Sequence, residues 1–152
     1  AATAARPQSG EGSSWFLICD DATAAQPLVD ALTARGHRHR IFGVPLSDTD
    51  EERLSATLRA AVADEPTTRI INLCALDSDP APSTQSLLRM QHQVLSGTRR
   101  LFCAAAAAEL RVPIWLVTRG AQRITSTDTV SPAQSALWGF GCAASLEQPR
   151  LW

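Results

Sequence analysis

Tyrosine is absent from the 152 residues, and so is lysine: the 14 Lys+Arg positions are all arginine. Chemistry that needs a phenol or an ε-amine is excluded, and with it a phosphate-cradling loop that depends on its lysine. No G-x-S-x-G occurs, which removes the serine-hydrolase elbow. No C-x-x-C occurs either. The four cysteines, Cys19, Cys74, Cys103 and Cys142, are scattered through apolar runs, which argues against zinc and for buried free thiols in a reducing, cytoplasmic compartment. Net charge is only −1, so nothing marks nucleic acid or an anionic membrane as a partner. Apolar runs stop far short of the ~20 residues that span a bilayer. Residues 1–14, "AATAARPQSGEGSS", lack the apolar stretch of a secretory signal and read as a linker or tail.

What remains is a chain with 45% hydrophobic residues, enough for the core of one domain over residues 15–152. Apolar runs of strand length alternate with helical patterns. "WFLIC" (15–19), "IFGV" (41–44), "RIINLCAL" (69–76) and "IWLV" (114–117) read as strands. Residues 24–36 read as a helix stopped by Gly36, residues 47–66 as an amphipathic helix stopped by Pro66, and residues 83–110 as a long helix with Gly97 marking a kink. A polar loop, with a short strand of its own, separates the fourth strand from a last helix that opens at Ser131 and Pro132. Strands apolar on both faces are those of a parallel sheet covered by helices, so the fold class is α/β, a truncated Rossmann-like, doubly wound, mainly parallel sheet.

The stretch "WGFGCAAS" carries Gly139-x-Gly141-x-x-Ala144, the spacing of a dinucleotide-binding turn. Its context is wrong for one. Ser131 with Gln134 reads as a capping box and Pro132 as the first helical residue, so the helix starts upstream and both glycines fall inside it. Each then costs up to ~1 kcal/mol relative to alanine, which a close backbone approach would explain. The turn after the first strand holds Asp20 and Asp21 and no glycine. Two carboxylates there repel a pyrophosphate, so no cofactor-binding residue, catalytic residue or metal ligand is expected in this chain. Asp20 and Asp21 with Asp77 and Thr118 resemble the acidic pocket of a receiver domain, but the lysine such a site uses is missing. "HRHR" (37–40) reads as a solvated loop, and neither His37, His39 nor His92 has a ligand-spaced partner.

The last forty residues resemble the structural, N-terminal subdomain of a ketoreductase from a modular type I polyketide synthase. That family reads a strand ending in L-V-T-R-G-A, matched by Leu116 to Ala121. It then reads P-A-Q-x-A-x-W-G-x-G-x-x-x-x-L-E-x-P-x-L-W, matched by Pro132, Ala133, Gln134, Ala136, Trp138, Gly139, Gly141, Leu146, Glu147, Pro149, Leu151 and Trp152. Cys142 and Gln148 depart from it, standing where the family more often has a basic residue and a histidine. The family usually continues past Trp152 with two glycines and has a strand before residue 1, so the resemblance implies a segment of a longer polypeptide.

In that family the first Rossmann-like half is noncatalytic. It supports a second half that binds NADPH and carries a Ser–Tyr–Lys site, and that second half reduces a β-ketoacyl group held on acyl carrier protein. The implied partner is therefore the catalytic half, with acyl carrier protein met only indirectly. In fully reducing modules an enoylreductase follows directly, and a break at Trp152 is consistent with that. The expected interface residues are Trp138, filling space between the last helix and an adjoining surface, the glycines Gly139 and Gly141 beside it, and Leu151 and Trp152, projecting uncovered beyond the helix. The alternative class is a stand-alone receiver-like or small-ligand-binding module.

Overall fold

The computed structural model describes residues 13–64, 67–76 and 83–152. Residues 1–12, Pro66 and Asp77 lie outside the described residues. The elements are β1 (Ser14–Cys19), α1 (Ala22–Ala34), β2 (Arg38–Gly43), a single 3-10 turn at Leu46–Asp48, α2 (Glu51–Asp64), β3 (Thr67–Asn72), α3 (Thr84–Ala107), β4 (Ile114–Leu116) and α4 (Pro132–Glu147). The four strands form one parallel sheet in the order β2-β1-β3-β4. The α/β, Rossmann-like class expected from the alternating pattern is the class observed.

Helix α1 lies on one face of the sheet, over Leu17, Cys19, Ile71 and Leu73. Helices α2, α3 and α4 cover the other, where Phe16, Ile18, Leu54, Leu58, Ile70, Leu101, Phe102 and Ile114 make the main core. The direction in which strands are added reverses at β1, with β2 to one side and β3 and β4 to the other, as in doubly wound sheets.

Local chemistry accounts for the boundaries. Asp21 caps α1, accepting from the Thr23 amide at 2.9 Å. Gly36 ends it at φ +72°, its amide bonded to the Thr33 carbonyl and that of His37 to the Leu32 carbonyl, a Schellman closure that needs a left-handed residue. Asp50 accepts from the Arg53 amide at 2.7 Å, so α2 begins there, and residues 46–48 form the 3-10 turn rather than the start of the helix.

Gly97 does not kink α3, which runs unbroken from Thr84 to Ala107. A Cβ on Gly97 would stand 2.8 Å from Leu46 Cβ, so the missing side chain lets the 3-10 turn lie against the helix. Arg100 secures that contact: its Nη1 donates to the carbonyls of Leu46, Ser47 and Thr49 at 3.0, 2.6 and 2.9 Å. Buried Asn72 ties β3 to α3, donating to Thr98 Oγ1 at 3.1 Å and accepting from the Cys74 amide at 3.0 Å.

Three expectations are corrected. "HRHR" is no loop, because residues 38–40 open β2 beside Ser14, Trp15 and Phe16. No strand forms between β4 and α4; Asp128 instead gathers the Ile124 and Thr125 amides and the Thr125 hydroxyl. Of the four free thiols only Cys19 and Cys74 are buried, while Cys103 is half-buried and Cys142 exposed.

The acidic turn after β1 has a directional pH effect. Hydrogen bonds from the Thr23 amide, then its hydroxyl, hold the Asp21 carboxyl below its ordinary value of 3.8. The unfolded chain therefore takes up that proton first as pH falls. The cap's contribution is complete above the ordinary value and is lost as pH drops below 3.8 toward the folded value. Asp20 acts oppositely: burial, with the nearby Asp48 adding, raises its carboxyl against a hydrogen bond from Cys74. Its contribution is thus present below the ordinary value and is lost as pH rises through the folded one. Asp21→Asn keeps the capping oxygen but not the titration. Urea midpoints at about pH 5 and about pH 3 should differ less for this variant than for the parent chain.

Candidate functional site

The matched stretch 116–121 and the start of α4 are separated by the loop at 122–130 and bound together across it. The Ser131 amide donates to the Gly120 carbonyl at 2.9 Å, and the Ser135 hydroxyl to the Ala121 carbonyl at 2.8 Å. Gln134, buried, accepts from the Arg119 amide at 3.1 Å and donates to the Ala75 carbonyl. This corrects the capping-box expectation. Ser131 has the extended backbone of an N-cap but makes no side-chain cap bond, and Gln134 reaches across the sheet ends instead of back to Ser131.

Beyond this knot, α4 crosses over β4. Gly139 and Gly141 are within the helix, as the sequence implied. Only Gly141 meets a close neighbour: a Cβ there would stand 2.6 Å from the tip of the Trp152 ring, whereas nothing lies within 4 Å of one on Gly139. Past the helix the chain turns at Gln148, whose carbonyl accepts from the Leu151 amide at 2.9 Å. It returns to β4, where the Ile114 amide donates to the Leu151 carbonyl at 2.7 Å. That turn corrects the reading of Leu151 as uncovered. Its side chain is 2% exposed and belongs to the main core.

The result is a cleft of about 460 Å³ whose walls include Trp115, Leu116, Leu137, Trp138, Gly141 and Trp152. Three tryptophans stand half exposed in it, Trp115 at 54%, Trp138 at 51% and Trp152 at 50%. Trp138 is therefore not enclosed within this chain. Trp138→Ala should cost about 1 kcal/mol or less in urea unfolding, the scale of surface substitutions rather than of core ones.

Trp115 and Arg69 are the members that sequence reasoning missed. The sheet face they occupy is covered by α1 over β1 and the end of β3 but not at Trp115, so the expectation of strands covered on both faces fails there. The Arg69 guanidinium lies 5.0 Å from the Trp15 ring centre and 5.9 Å from that of Trp115, a cation held over two aromatic faces. Among the described residues it has no carboxylate partner. The signal was present in the alternation "IWL": Ile114 is buried and Trp115, one residue on, points to the other face.

Other candidate positions are not brought together. Thr118 lines the tryptophan cleft, while Asp21 caps α1 and Asp20 neighbours Cys74 and Asp48. Among the described residues no three His, Cys, Asp or Glu side chains stand close enough to hold a metal ion. None of the described helices is long and apolar enough to cross a membrane.

A parallel sheet with α1 on one face and α2 to α4 on the other defines a Rossmann-like, doubly wound α/β unit. No family model matches the chain. It is 32% identical over 159 residues to the pikromycin polyketide synthase component PikAII of Streptomyces venezuelae, covering 97% of this chain and 4% of that protein. It is 31% identical over 146 residues to polyketide synthase GfsA of Streptomyces halstedii, covering 91% of this chain and 2% of that protein. In structure it resembles a C2-type ketoreductase from a modular polyketide synthase, with TM-score 0.75 and 30% identity, covering 95% of this chain and 31% of that one. An A-type ketoreductase from a modular polyketide synthase matches with TM-score 0.62 and 25% identity, covering 98% of this chain and 31% of that one. The chain is thus related to the ketoreductase region of modular polyketide synthases. It spans a few per cent of the curated relatives' length and just under a third of the ketoreductase chains.

Proposed function

We propose that this chain is the noncatalytic, structural half of a polyketide synthase ketoreductase. Its role is to buttress an adjoining half, which binds NADPH and reduces a β-ketoacyl group carried on acyl carrier protein in the cytoplasm. The observation that carries this reading is the trio of half-exposed tryptophans on one edge of the sheet. Apolar surface of that kind marks an interface, and a chain that matches just under a third of each related ketoreductase leaves most of such an enzyme to supply the other side.

The residues at hand do not fit a resident nicotinamide cofactor. A Rossmann-type site seats its pyrophosphate on the helix after the first strand, through a glycine turn. Here that helix N-terminus is taken by the Asp21 carboxylate, with Asp20 beside it. Reduction of a ketone also needs an acid for the incipient alkoxide, and in the related family this is a tyrosine assisted by a lysine. Neither residue type occurs in the chain. Its own side chains therefore hold and position; the proton and hydride steps belong to the adjoining half.

Two measurements test the reading. Calorimetric titration of the chain with NADPH should give no binding, and a dissociation constant in the low micromolar range or tighter would overturn the assignment. The NADPH-binding half of the parent polypeptide, produced with and without residues 1–152, should differ in soluble yield and in reduction of a β-ketothioester surrogate. Equal yield and equal activity would remove the buttressing role.

A further inference from the structure

We propose that Arg69 is the polar anchor of the tryptophan cleft, and that the surface covering it sets one carboxylate, an aspartate or glutamate of the adjoining half, against the guanidinium. The inference rests on the buttressing reading and names what the partner must carry. Sheet register places the anchor. Arg69 pairs with Trp15 of β1. Trp115 pairs with Ile71, two residues beyond Arg69 on β3. Paired residues of neighbouring parallel strands turn their side chains to the same face, and residues two apart on a strand share it. Trp15, Arg69 and Trp115 therefore stand on one face, with the cation 5.0 and 5.9 Å from the two ring centres.

The rings answer only part of its chemistry. An aromatic face offsets positive charge. It offers no oxygen to a guanidinium, which carries five N–H donors in a rigid planar fork. Arg69 makes no hydrogen bond and no ion pair among the described residues. Arg100, by contrast, donates to three carbonyls, and Arg40 meets Asp64 at 3.2 Å. The head of Arg69 is thus held in place by two indoles while its donors stay unused. A group already held loses less freedom when an acceptor arrives.

The charge of the cleft selects the acceptor. Arg69 lines it together with Trp115, Trp138 and Trp152, and among the described lining residues it is the only charged one. A partner that fills the cleft also withdraws the guanidinium from water, and arginine cannot shed its proton to escape that cost. A wholly apolar cover would leave a buried, unpaired cation, which opposes docking. A carboxylate presents two oxygens and one charge to the fork. A phosphate monoester carries close to two negative charges and would leave the excess unbalanced. The cover that fits is apolar with a single carboxylate in it, and a surface of the same shape without that group is discriminated against.

The absence of lysine supplies the test. Arg69→Lys, made in residues 1–152 joined to the NADPH-binding half, keeps the charge and gives residues 1–152 their one ε-amine. A carbodiimide links an amine to a carboxylate in contact with it, and peptide mapping reads the site. The new amine should be linked to one aspartate or glutamate of the adjoining half, whereas that of Arg35→Lys, at the end of α1, should not be linked to that half. Arg69→Gln, and the amide variant of the mapped carboxylate, should each lower the unfolding temperature of the joined chain by about 2 °C or more. The two together should lower it no further than either alone, since both remove one pair. No link to the adjoining half overturns the proposal, and additive losses overturn the pairing. A link between two copies assigns the carboxylate to a second chain and overturns the occupant. Yield and activity with and without residues 1–152 decide the buttressing role separately. If those residues raise both and the amine stays unlinked, the role stands and the anchor falls; if they raise neither, both fall.

Discussion

Replacing Gln134 with leucine is expected to lower stability by about 2–4 kcal/mol, as a part-buried amide and a buried carbonyl each lose a side-chain hydrogen bond whose removal costs roughly 1–3 kcal/mol. Leucine keeps most of the volume, so packing at this buried position changes little. What is lost is the side-chain amide that accepts from the Arg119 amide and donates to the Ala75 carbonyl. Those two groups come from the ends of β4 and β3, so the substitution also loosens the knot that seats the start of α4. Thermal unfolding should show a fall in Tm of about 5–15 °C for a chain of this size. A fall below about 2 °C would mean that water replaces the glutamine at both groups. Gln134→Glu separates the two bonds: its carboxylate still accepts from Arg119 but can no longer donate to Ala75, so its loss should be intermediate or larger.

Arg100→Met should cost a similar amount, about 2–4 kcal/mol, since hydrogen bonds from a charged donor contribute roughly 1.5–3 kcal/mol and three carbonyls share this one. Methionine retains the apolar stem of the side chain and removes the guanidinium. The carbonyls of Leu46, Ser47 and Thr49 then face the side of α3 without a donor. Gly97 offers no side chain to fill the gap. Urea unfolding with an unchanged slope and a lowered midpoint would place the loss in the native state. An unchanged midpoint would show that the turn is held by Leu46 packing alone.

Much of the fold could be read from residues in order, because each strand is bounded by a local signal. Gly36 sits where a left-handed residue must end α1, and Asp21 where a carboxylate caps it. Where the reading failed, the deciding contact comes from far along the chain. Residues 38–40 look like a charged loop because β2 is an edge strand, and edge strands tolerate exposed arginine and histidine. Gln134 looks like a capping partner because Ser131 stands three residues before it, and its true partners, Arg119 and Ala75, carry no local mark. Leu151 looks exposed because the turn at Gln148 is unremarkable in sequence. The site was half legible. The resemblance to a known pattern picked out Trp138, Gly141 and Trp152, but Trp115 and Arg69 join them only because the sheet order leaves one face of β4 bare.

The sheet order also sets a timetable. β1 is made before the other three strands described and ends up internal, with β2 on one side and β3 on the other. Its partner across the β3 side, Thr67, lies about fifty residues after Ser14. At roughly 5–20 residues per second of synthesis, one flank of the most apolar strand in the chain stays open for about 3–10 seconds after that strand leaves the ribosome. The vulnerable moment for this protein is therefore co-translational: "WFLIC" is the stretch that a holding chaperone would be expected to cover, and slowing translation between β2 and β3 should raise the fraction that aggregates.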